Sequence, residues 1–309
     1  MKKAIRKILF GDTPVSEYVT LTVKDRINEK VFIETGSDCF DMSAAHWLLC
    51  LDPVIFGFWV TTKEDIIAFE KKQGYKMYFK DSERENKTIA VATLEYFDKI
   101  EETDGILFLL KQIKATIQHI NFFKTRILFH WYYKKPGQNF IQLKSYAAAY
   151  SYPRRVRVIS FKEGDYYNIF PMDLVGDIQP GKHYVFGLRH TNVTLARIIA
   201  TKKIVVAEVP FEYKDIIYKL GKHHTGAPVV AELGFDIIPS ERFNFPVPAW
   251  ANSYKEIAIV KTINLGSHML LWGEEVNEIK CTEATGHLYH IHFLHYLHQK
   301  NRGLAYTIV

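Results

Sequence analysis

Residues 266–277 read GSHMLLWGEEVN, a short polar turn followed by a mostly apolar run. Successive side chains of a β-strand point to opposite faces of the sheet. On that basis one face carries Met269, Leu271 and Gly273, and the other carries His268, Leu270, Trp272 and Glu274. The run therefore predicts a turn and then a strand that begins near His268. A single histidine at such a position is either a hydrogen-bonded structural residue or part of a site, and this stretch leaves both interpretations open.

A second stretch, residues 186–199, reads FGLRHTNVTLARII and predicts a strand that runs directly into a helix. The polar residues at the junction are Arg189, His190, Thr191, Asn192 and Thr194. The first turn of a helix presents unpaired N–H groups and the positive end of the helix dipole, and arginine adds a permanent charge suited to phosphate. The junction is a candidate anion site. The alternative is ordinary helix capping by Asn192 or Thr191, with Arg189 in solvent.

A third stretch, residues 163–177, reads EGDYYNIFPMDLVGD and predicts a hairpin whose second strand ends near Pro171. Proline cannot donate a hydrogen bond to a sheet ladder. Regular pairing would therefore stop there, and backbone groups would become free to contact a ligand. The alternative is an edge-strand proline with no ligand nearby.

Composition limits the classes of protein to consider. The chain has 309 residues, enough for one large domain or two ordinary ones, and its 14% aromatic content favours a sheet-rich fold. The net charge of +6 is modest and its cations are scattered, which argues against nucleic acid and suits a small phosphate-bearing ligand. Three widely spaced cysteines, with no apolar run of membrane length and no signal-like start, predict a cytoplasmic protein that does not enter a membrane.

In order and spacing, these stretches resemble the flavin reductase-like family, whose fold is an FMN-binding split β-barrel. The resemblance runs from about residue 145 onward, and its signs are Tyr152-Pro153-Arg154, Gly164 and Asn168 in the hairpin, GLRHTNVTLARI, and GSHMLLWGEEV. The last stretch looks like the family's Gly-Asp-His motif, with Ser267 in place of the aspartate. The resemblance implies a β-rich α+β fold, in which residues 141–309 form the FMN-binding split barrel. Residues 1–140 would form a degenerate split-barrel-like half or an accessory domain.

The resemblance also implies a function, that of a flavin reductase or related oxidoreductase passing a hydride from NADH or NADPH to flavin. The implied FMN-binding residues are Asn168, Phe170, Pro171, Met172 and Asp173 along the ring, Arg189, His190, Thr191, Asn192 and Thr194 at the phosphate and ribityl chain, and Lys222, His223 and His224 closing over the cofactor. His268 would lie near the ring or the nicotinamide as the catalytic residue. Two alternatives stay open. One is a flavoprotein that binds FMN without turnover, as an electron carrier or sensor, and the other is a split barrel that holds another ligand, such as haem.

The first half contains a faint repeat of the second. Residues 52–79 can be laid over residues 182–209 so that Phe56-Gly57 coincides with Phe186-Gly187. The repeat indicates either a duplication or a chance likeness of two strand–helix–strand pieces. Because the resembled family usually dimerises with FMN near the interface, the chain is expected to form a homodimer, or an intrachain pseudo-dimer whose first half takes the partner's role. Trp59 stands where the second half has Arg189, so no second FMN site is predicted.

Two further predictions concern secondary structure and the histidine-rich tail. Strands are predicted at residues 18–23, 29–34, 54–61, 126–133, 156–161, 184–188, 204–209, 256–262 and 269–272, and helices at residues 103–120, 191–200 and 211–220. The tail, residues 287–300, reads HLYHIHFLHYLHQK. Zinc needs converging ligands, and the tract holds no Cys or Asp to complete a set. Surface histidines on a closing strand are therefore predicted in preference to a metal site.

Overall fold

A computed structural model describes residues 4–5, 7–8, 11, 18–23, 27–71, 74–81, 87–133, 139–179, 181–228, 233–281, 286–303 and 307–308. After strand β1 (Tyr18–Val23), the first half forms a seven-stranded antiparallel sheet. Its strands are β2 (Glu29–Thr35), β3 (Asp38–Asp41), β4 (His46–Leu51), β5 (Val54–Val60), β6 (Tyr75–Asp81), β7 (Lys87–Glu102) and β8 (Gly105–Ile117). Helix α1 (Lys63–Glu70) joins β5 to β6 and begins where the Thr62 hydroxyl accepts a hydrogen bond from the backbone N–H of Asp65 at 3.3 Å.

The middle of the chain is helical. It contains α2 (Phe122–Leu128), a π-helical turn (Phe129–Tyr133) and α3 (Phe140–Ala149), followed by the short strand β9 (Arg154–Arg155). A strand was predicted at residues 126–133, and that prediction is wrong. The Asn121 side chain accepts a hydrogen bond from the backbone N–H of Lys124 at 2.9 Å, so a capped helix enters this aromatic stretch.

The second half forms another seven-stranded antiparallel sheet. Its elements are β10 (Arg157–Glu163), β11 (Tyr166–Met172), β12 (Val175–Gln179), β13 (His183–Arg189), α4 (Leu195–Thr201), β14 (Lys203–Glu208), β17 (Ser253–Asn264) and β18 (His268–Lys280). Between β14 and β17 lie α5 (Lys214–Lys219), with 3-10 turns at Phe211–Tyr213 and Leu220–His224, and the paired strands β15 (Ile237–Pro239) and β16 (Pro246–Pro248). The helix predicted at residues 191–200 thus begins only at Leu195, after a turn in which the Asn192 side chain accepts a hydrogen bond from the backbone N–H of Thr194 at 2.8 Å.

The two sheets have the same strand order, position for position. The first is ordered β3-β2-β6-β7-β8-β5-β4, and the second is ordered β11-β10-β14-β17-β18-β13-β12. The repeated stretches occupy equivalent places, since β5, α1 and β6 correspond to β13, α4 and β14. The fold is β-rich, as predicted. Neither sheet closes on itself among the described strands, so the split barrel stays a prediction.

The helix predicted at residues 103–120 is wrong, because that segment forms β8. Its apolar residues satisfy a helical stripe, but Leu107, Phe108, Leu109 and Leu110 are all fully buried. β8 lies between β5 and β7, and a strand covered on both faces reads as a continuous apolar run. Periodicity alone does not separate such a strand from a buried helix.

The two halves pack against each other through β4. A Cβ added to Gly187 of β13 would lie 1.8 Å from the carbonyl oxygen of Leu49, and one added to Gly176 of β12 would lie 2.2 Å from the Trp47 ring. Contacts this close require glycine. The buried apolar cluster at this junction is made of Leu49, Cys50, Ile55, Trp59, Ile100, Leu107 and Leu109 from the first half, with Ile178, Val185, Leu265, Leu270 and Trp272 from the second. The first half is therefore packed tightly against the strand that leads to Arg189.

The tail contains β19 (His287–His292), α6 (Phe293–Lys300) and β20 (Thr307–Ile308), and its strands join β1 and β9 in a four-stranded sheet. The prediction of surface histidines on a closing strand is wrong for the second half of the tail. His292 and His295 are fully buried and His298 is 7% exposed. His295 and His298 lie on the buried side of α6, where the His295 ring is 2.8 Å from a Glu29 carboxylate oxygen. Within the described residues, no three side chains of His, Cys, Asp or Glu are arranged to hold a metal ion.

None of the helices in the described part of the chain combines the length and apolar character needed to cross a bilayer.

Candidate functional site

A cavity of about 420 Å³ opens beside the carboxyl end of β13. Seven residues of the predicted site line it, namely Pro171, Met172, Asp173, Arg189, Thr191, His224 and His268. The lining also contains residues that were not predicted from the sequence, including Tyr18, Leu51, Tyr150, Val156, Leu174, Ile217, Tyr218, Thr225, Leu288 and His290. Residues far apart in the chain therefore meet in one place. Leu51 at the end of β4 is a contribution from the first half.

Arg189 and His268 stand opposite each other on the neighbouring strands β13 and β18. Arg189 is exposed, and no ion pair joins its guanidinium to any described residue. The strand ends at Arg189, and the Thr191 turn that follows also lines the cavity. A permanent cation with no carboxylate partner at a cavity edge is suited to an anionic ligand.

His268 is held in a neutral form. Burial, with the nearby Arg189 charge, lowers the pKa of His268 to about 4. Its Nδ1 lies 2.8 Å from the Ser267 hydroxyl and 3.5 Å from the Cys50 sulfur. The Ser267 hydroxyl can donate to Nδ1, and in that tautomer the ring proton is on Nε2. Among the described residues no hydrogen bond to Nε2 is seen, and the ring lines the cavity.

Ser267 stands where the resembled family has an aspartate, and it links the two halves of the chain. Its hydroxyl accepts a hydrogen bond from the backbone N–H of Asp52 at 3.0 Å, and its own backbone N–H donates to the Asp52 carbonyl at 2.7 Å. With one bond accepted from Asp52, the hydroxyl proton is free to be donated to His268. Where an aspartate would place a negative charge beside His268, Ser267 is uncharged and instead connects the two halves of the chain through Asp52.

His224 is fixed by two bonds that define its tautomer. Its Nε2 donates to the carbonyl of Pro171 at 2.8 Å, and its Nδ1 accepts from the Asn192 side-chain amide at 2.9 Å. Burial lowers the pKa of His224, which keeps this neutral form at physiological pH. The Phe170 ring lies against it, with ring centroids 4.9 Å apart. His224 thus joins the end of β11 to the turn before α4.

Asn168, Thr194 and His223 lie beneath the cavity and do not line it. The Asn168 amide donates to the Thr194 hydroxyl at 2.7 Å and to the His223 carbonyl at 2.9 Å, and all three residues are buried. The His223 ring in turn donates to the carbonyl of Ile169 at 2.7 Å. These residues hold the cavity floor in place.

His190 and Lys222 are exposed and also lie outside the cavity lining. His190 turns toward the β17–β18 hairpin, where its Nε2 donates to the Asn264 side chain at 3.1 Å. His190 follows the last residue of β13, and its side chain points away from the cavity.

A polar cluster in the cavity lining was not predicted from the sequence. The Tyr218 hydroxyl lies 2.8 Å from Nε2 of His290, and Nδ1 of His290 lies 3.0 Å from the Asp173 carboxylate. The Tyr150 hydroxyl donates to the same carboxylate at 3.0 Å. Asp173 was expected to contribute backbone, and His290 was considered only within the histidine-rich tail. Nothing in the sequence joins them, because 117 residues separate the two.

Neither a protein-family model nor a curated protein matches this sequence. Solved structures do show similarity. One is an NADH:FAD oxidoreductase from Streptomyces globisporus, with a TM-score of 0.43 and 17% identity over 50% of this chain and 94% of that chain. Another is a nitrilotriacetate monooxygenase component B homolog from Mycobacterium thermoresistibile, with a TM-score of 0.43 and 12% identity over 48% of this chain and 82% of that chain.

A third is an FMN-binding protein from Thermus thermophilus with bound p-hydroxybenzaldehyde, with a TM-score of 0.38 and 17% identity over 42% of this chain and 73% of that chain. These neighbours are the kind of protein that the sequence resembles. With every TM-score below 0.5, they assign no activity to this chain.

Proposed function

We propose that this chain is an FMN-binding flavoprotein of the flavin reductase type, with a split-barrel second half that passes a hydride from NADH or NADPH to flavin. The observation that supports it most is the cavity. Three stretches chosen from the sequence meet in its lining, through residues 171–173, through Arg189 with Thr191, and through His268.

The chemistry of the lining suits FMN. The Arg189 guanidinium and the Thr191 hydroxyl lie in the same lining and are donors for a phosphate. The apolar residues of the walls are Leu51, Val156, Leu174, Leu188, Ile217 and Leu288, which suit a flat ring system. The volume of about 420 Å³ falls within the roughly 300–1,000 Å³ of ordinary ligand sites.

FMN, when bound, supplies the hydride and electron chemistry of such a protein. The chain's own residues would hold it. Arg189 would bind the phosphate as a fixed cation. His268 would offer a neutral Nε2–H donor to the ring or to the nicotinamide, because the lowered pKa, about 4, keeps the imidazole uncharged near pH 7. His224 would act indirectly, by fixing the β11 end through its bond to Pro171.

One observation favours a second candidate, an FMN-binding protein without turnover. Ser267 supplies no carboxylate beside His268, and both its hydroxyl and its backbone N–H are used in contacts with Asp52. A site that has lost this charge could keep flavin without accepting a hydride from nicotinamide. Consumption of NADH or NADPH in the presence of FMN separates the two candidates.

We also propose that the first half takes the part of a second subunit, which makes the chain an intrachain pseudo-dimer. The identical strand orders, the close contact of Leu49 with Gly187 and the place of Leu51 in the cavity lining support this. The first half would not hold a second FMN. Where the second half has Arg189 opposite His268, the first half has Trp59 opposite Leu107, and both are buried in the junction.

The test is the visible absorption spectrum of the purified protein, before and after FMN is added and the excess removed. We expect retained flavin bands in the wild type and their loss in the double variant Arg189→Ala/Thr191→Ala. Arg197→Ala is the matched control, because that guanidinium is already paired with Glu163 and lies outside the cavity lining. A wild-type protein that keeps no flavin, or a double variant that keeps it as well as the control does, would refute the proposal.

A further inference from the structure

The helical connection between the two halves carries three large apolar side chains that face solvent. Phe122 is 59% exposed, Phe123 is 77% exposed and Ile141 is 65% exposed. Phe122 and Phe123 begin α2, and their ring centroids lie 6.1 Å apart. The Phe122 ring also meets the edge of the Phe140 ring, with centroids 6.1 Å apart, and Ile141 follows Phe140 in α3. We call these four residues the bridge patch.

The bridge patch is built on a fixed base. Phe140 is half-buried and packs against the core cluster that contains Leu128 and Leu143. Its neighbours in the patch therefore have defined positions and are not part of a loose end. Apolar side chains exposed one at a time are ordinary on a protein surface, whereas adjoining ones mark a surface that contacts a partner.

The charged side chains that touch the bridge patch are cations. The Arg126 guanidinium lies over the rings of Phe122 and Phe140, 5.3 Å and 4.7 Å from their centroids. The Lys144 ammonium lies 5.5 Å from the Phe140 centroid. Within the part of the chain that the structure describes, no ion pair joins Arg126, Lys144 or the adjacent Lys124 to a carboxylate. The patch is thus apolar at its centre and positive around it.

The stretch of sequence around the bridge patch lacks acidic residues. Residues 105–162 contain eleven Lys or Arg and no Asp or Glu, whereas the whole chain has 34 acidic residues among 309. The cations of this chain are spread along its length, so the missing carboxylates are what set this stretch apart. Its positive charge is therefore not neutralised by neighbours in the sequence.

Positive charge continues from α2 toward the start of the chain. A cavity of about 330 Å³ beside α2 is lined by Lys7, Lys124 and Lys300, with Ile8, Gly11, Ile120, Leu297 and Asn301. Ile8 is 83% exposed. A further exposed apolar side chain and two further lysines therefore lie next to the bridge patch, and they extend its character over a wider surface.

We propose that the bridge patch docks on the surface of a lipid bilayer that contains anionic lipids. The three exposed apolar side chains of the patch would enter the boundary between headgroups and acyl chains, where apolar faces flanked by Lys and Arg are stable. Lys124, Arg126 and Lys144 would lie at the level of the headgroup phosphates, and each cation near such a surface strengthens binding. The contact is superficial and requires no segment that crosses the bilayer.

Two other occupants fit the bridge patch less well. A second copy of the chain, joined through the same patch by two-fold symmetry, would bring like charges face to face. A single-stranded nucleic acid binds by stacking its bases on aromatic ring faces. Arg126 already occupies one face of both Phe122 and Phe140, and the aliphatic Ile141 offers no ring to stack on.

The first experiment measures sedimentation of the full chain with vesicles of phosphatidylcholine, either alone or with about 30% phosphatidylserine. We expect binding to the anionic vesicles to be stronger by about tenfold or more, and to weaken as salt screens the charges. Phe123→Ser/Ile141→Ser should weaken it by about tenfold or more, through the loss of two inserted apolar side chains. Thermal midpoints of the variants show that the fold is kept.

Ile67→Ser is the matched control for the apolar change. Ile67 is 57% exposed on α1, where Glu64 and Glu70 make its surroundings acidic, and its loss should leave vesicle binding unchanged. For the charges, Lys124→Ala and Lys144→Ala should each weaken binding to the anionic vesicles by about fivefold. The exposed Lys63→Ala on α1 is the control for that pair.

The second readout detects insertion and not mere adsorption of a basic protein. Phe123→Trp places an indole in the bridge patch, and its emission should shift to shorter wavelength on anionic vesicles and be quenched by lipids with brominated acyl chains. Ile67→Trp should show neither change. An acidic protein or a nucleic acid bound at the same patch would give no quenching of this kind.

Several outcomes would overturn the inference. They are equal binding of the wild type to both kinds of vesicle, equal binding of Phe123→Ser/Ile141→Ser and Ile67→Ser, and an unquenched indole in Phe123→Trp. Tighter binding of the wild type to single-stranded RNA than to anionic vesicles, or self-association that Phe123→Ser abolishes, would assign the patch to another partner. Because the bridge patch lies outside the cavity lining, none of these outcomes bears on the proposed flavin site.

Discussion

Asp52 and Ser267 exchange hydrogen bonds in both directions across the two halves of the chain. The Ser267 backbone N–H donates to the Asp52 carbonyl at 2.7 Å, and the Asp52 backbone N–H donates to the Ser267 hydroxyl at 3.0 Å. The adjacent Gly266 has a φ of +111°, and a Cβ there would lie 2.7 Å from the Asp52 carbonyl oxygen. The turn that carries His268 is thus shaped by the first half, 215 residues away in sequence.

Ser267→Ala removes the acceptor for the Asp52 N–H and the partner of His268. We expect the free energy of unfolding to fall by about 1 kcal/mol, the usual cost of one such bond. Urea denaturation measures it, with the exposed turn residue Ser37→Ala as control. Ser267→Asp restores a carboxylate beside the imidazole and should raise the pKa of His268 above about 4, which an NMR titration would detect. An unaltered pKa would contradict the contact described here.

Gly187→Ala should destabilise the protein by forcing the two halves apart. The added Cβ would overlap the Leu49 carbonyl oxygen at 1.8 Å, and backbone on both sides leaves little room to adjust. We expect a loss of about 2–4 kcal/mol, at or above the usual cost of overpacking. Gly226→Ala is the control, because its Cβ would meet no atom within 4 Å. Equal thermal midpoints for the two variants would count against a tight junction.

The buried histidines of the tail should make the stability of the folded protein sensitive to acid. Burial lowers the pKa of His298 to about 4, below the ordinary 6.5. As the pH falls from about 6.5 to about 4, the unfolded chain takes up the proton and the folded chain does not, so stability is lost in that window. We expect His298→Gln to reduce this loss by about 1–3 kcal/mol. Urea midpoints at pH 7.5 and 5 measure it, with the exposed His190→Gln as control. An equal change of the urea midpoint between pH 7.5 and pH 5 in both variants would contradict the burial of His298.

Arg189→Ala should discriminate between FMN and riboflavin, which lacks the phosphate. Loss of a charge-assisted bond to phosphate is expected to raise the FMN dissociation constant by about tenfold or more. Riboflavin binding should change by less than about twofold, because its ring contacts are untouched. Fluorescence titration with each ligand is the measurement. Equal losses for both ligands would place Arg189 at the ring instead of the phosphate.

The pseudo-dimer proposal predicts a monomer in solution. If the first half takes the partner's place, no second chain is needed at the cavity, and light scattering should give a mass close to 35.9 kDa with and without FMN. A dimer that forms at micromolar concentration, and dissociates together with loss of FMN, would refute the proposal.

The sequence alone determined the features that depend on neighbouring residues. Alternation in residues 266–277 correctly predicted a strand beginning near His268, and the polar residues after Arg189 indicated the strand-to-helix junction, although the helix begins later than predicted and is not capped by Asn192 or Thr191. The repeat of residues 52–79 in residues 182–209 indicated two halves, which have the same strand order. Turns, helix caps and strand alternation depend on local backbone geometry, which neighbouring residues in the sequence determine.

Features that depend on contacts between residues far apart in the chain could be identified only in the folded structure. The apolar stripe in residues 103–120 satisfies a helix, but pairing with β5 and β7 makes it the strand β8. His292, His295 and His298 were predicted as surface residues, but the packing of α6 and its N-terminal cap against the rest of the chain buries them. Asp173 and His290 join only because two separate sheets bring their strands to one cavity. Such contacts depend on strand order and on which face each strand buries, and no local pattern specifies either.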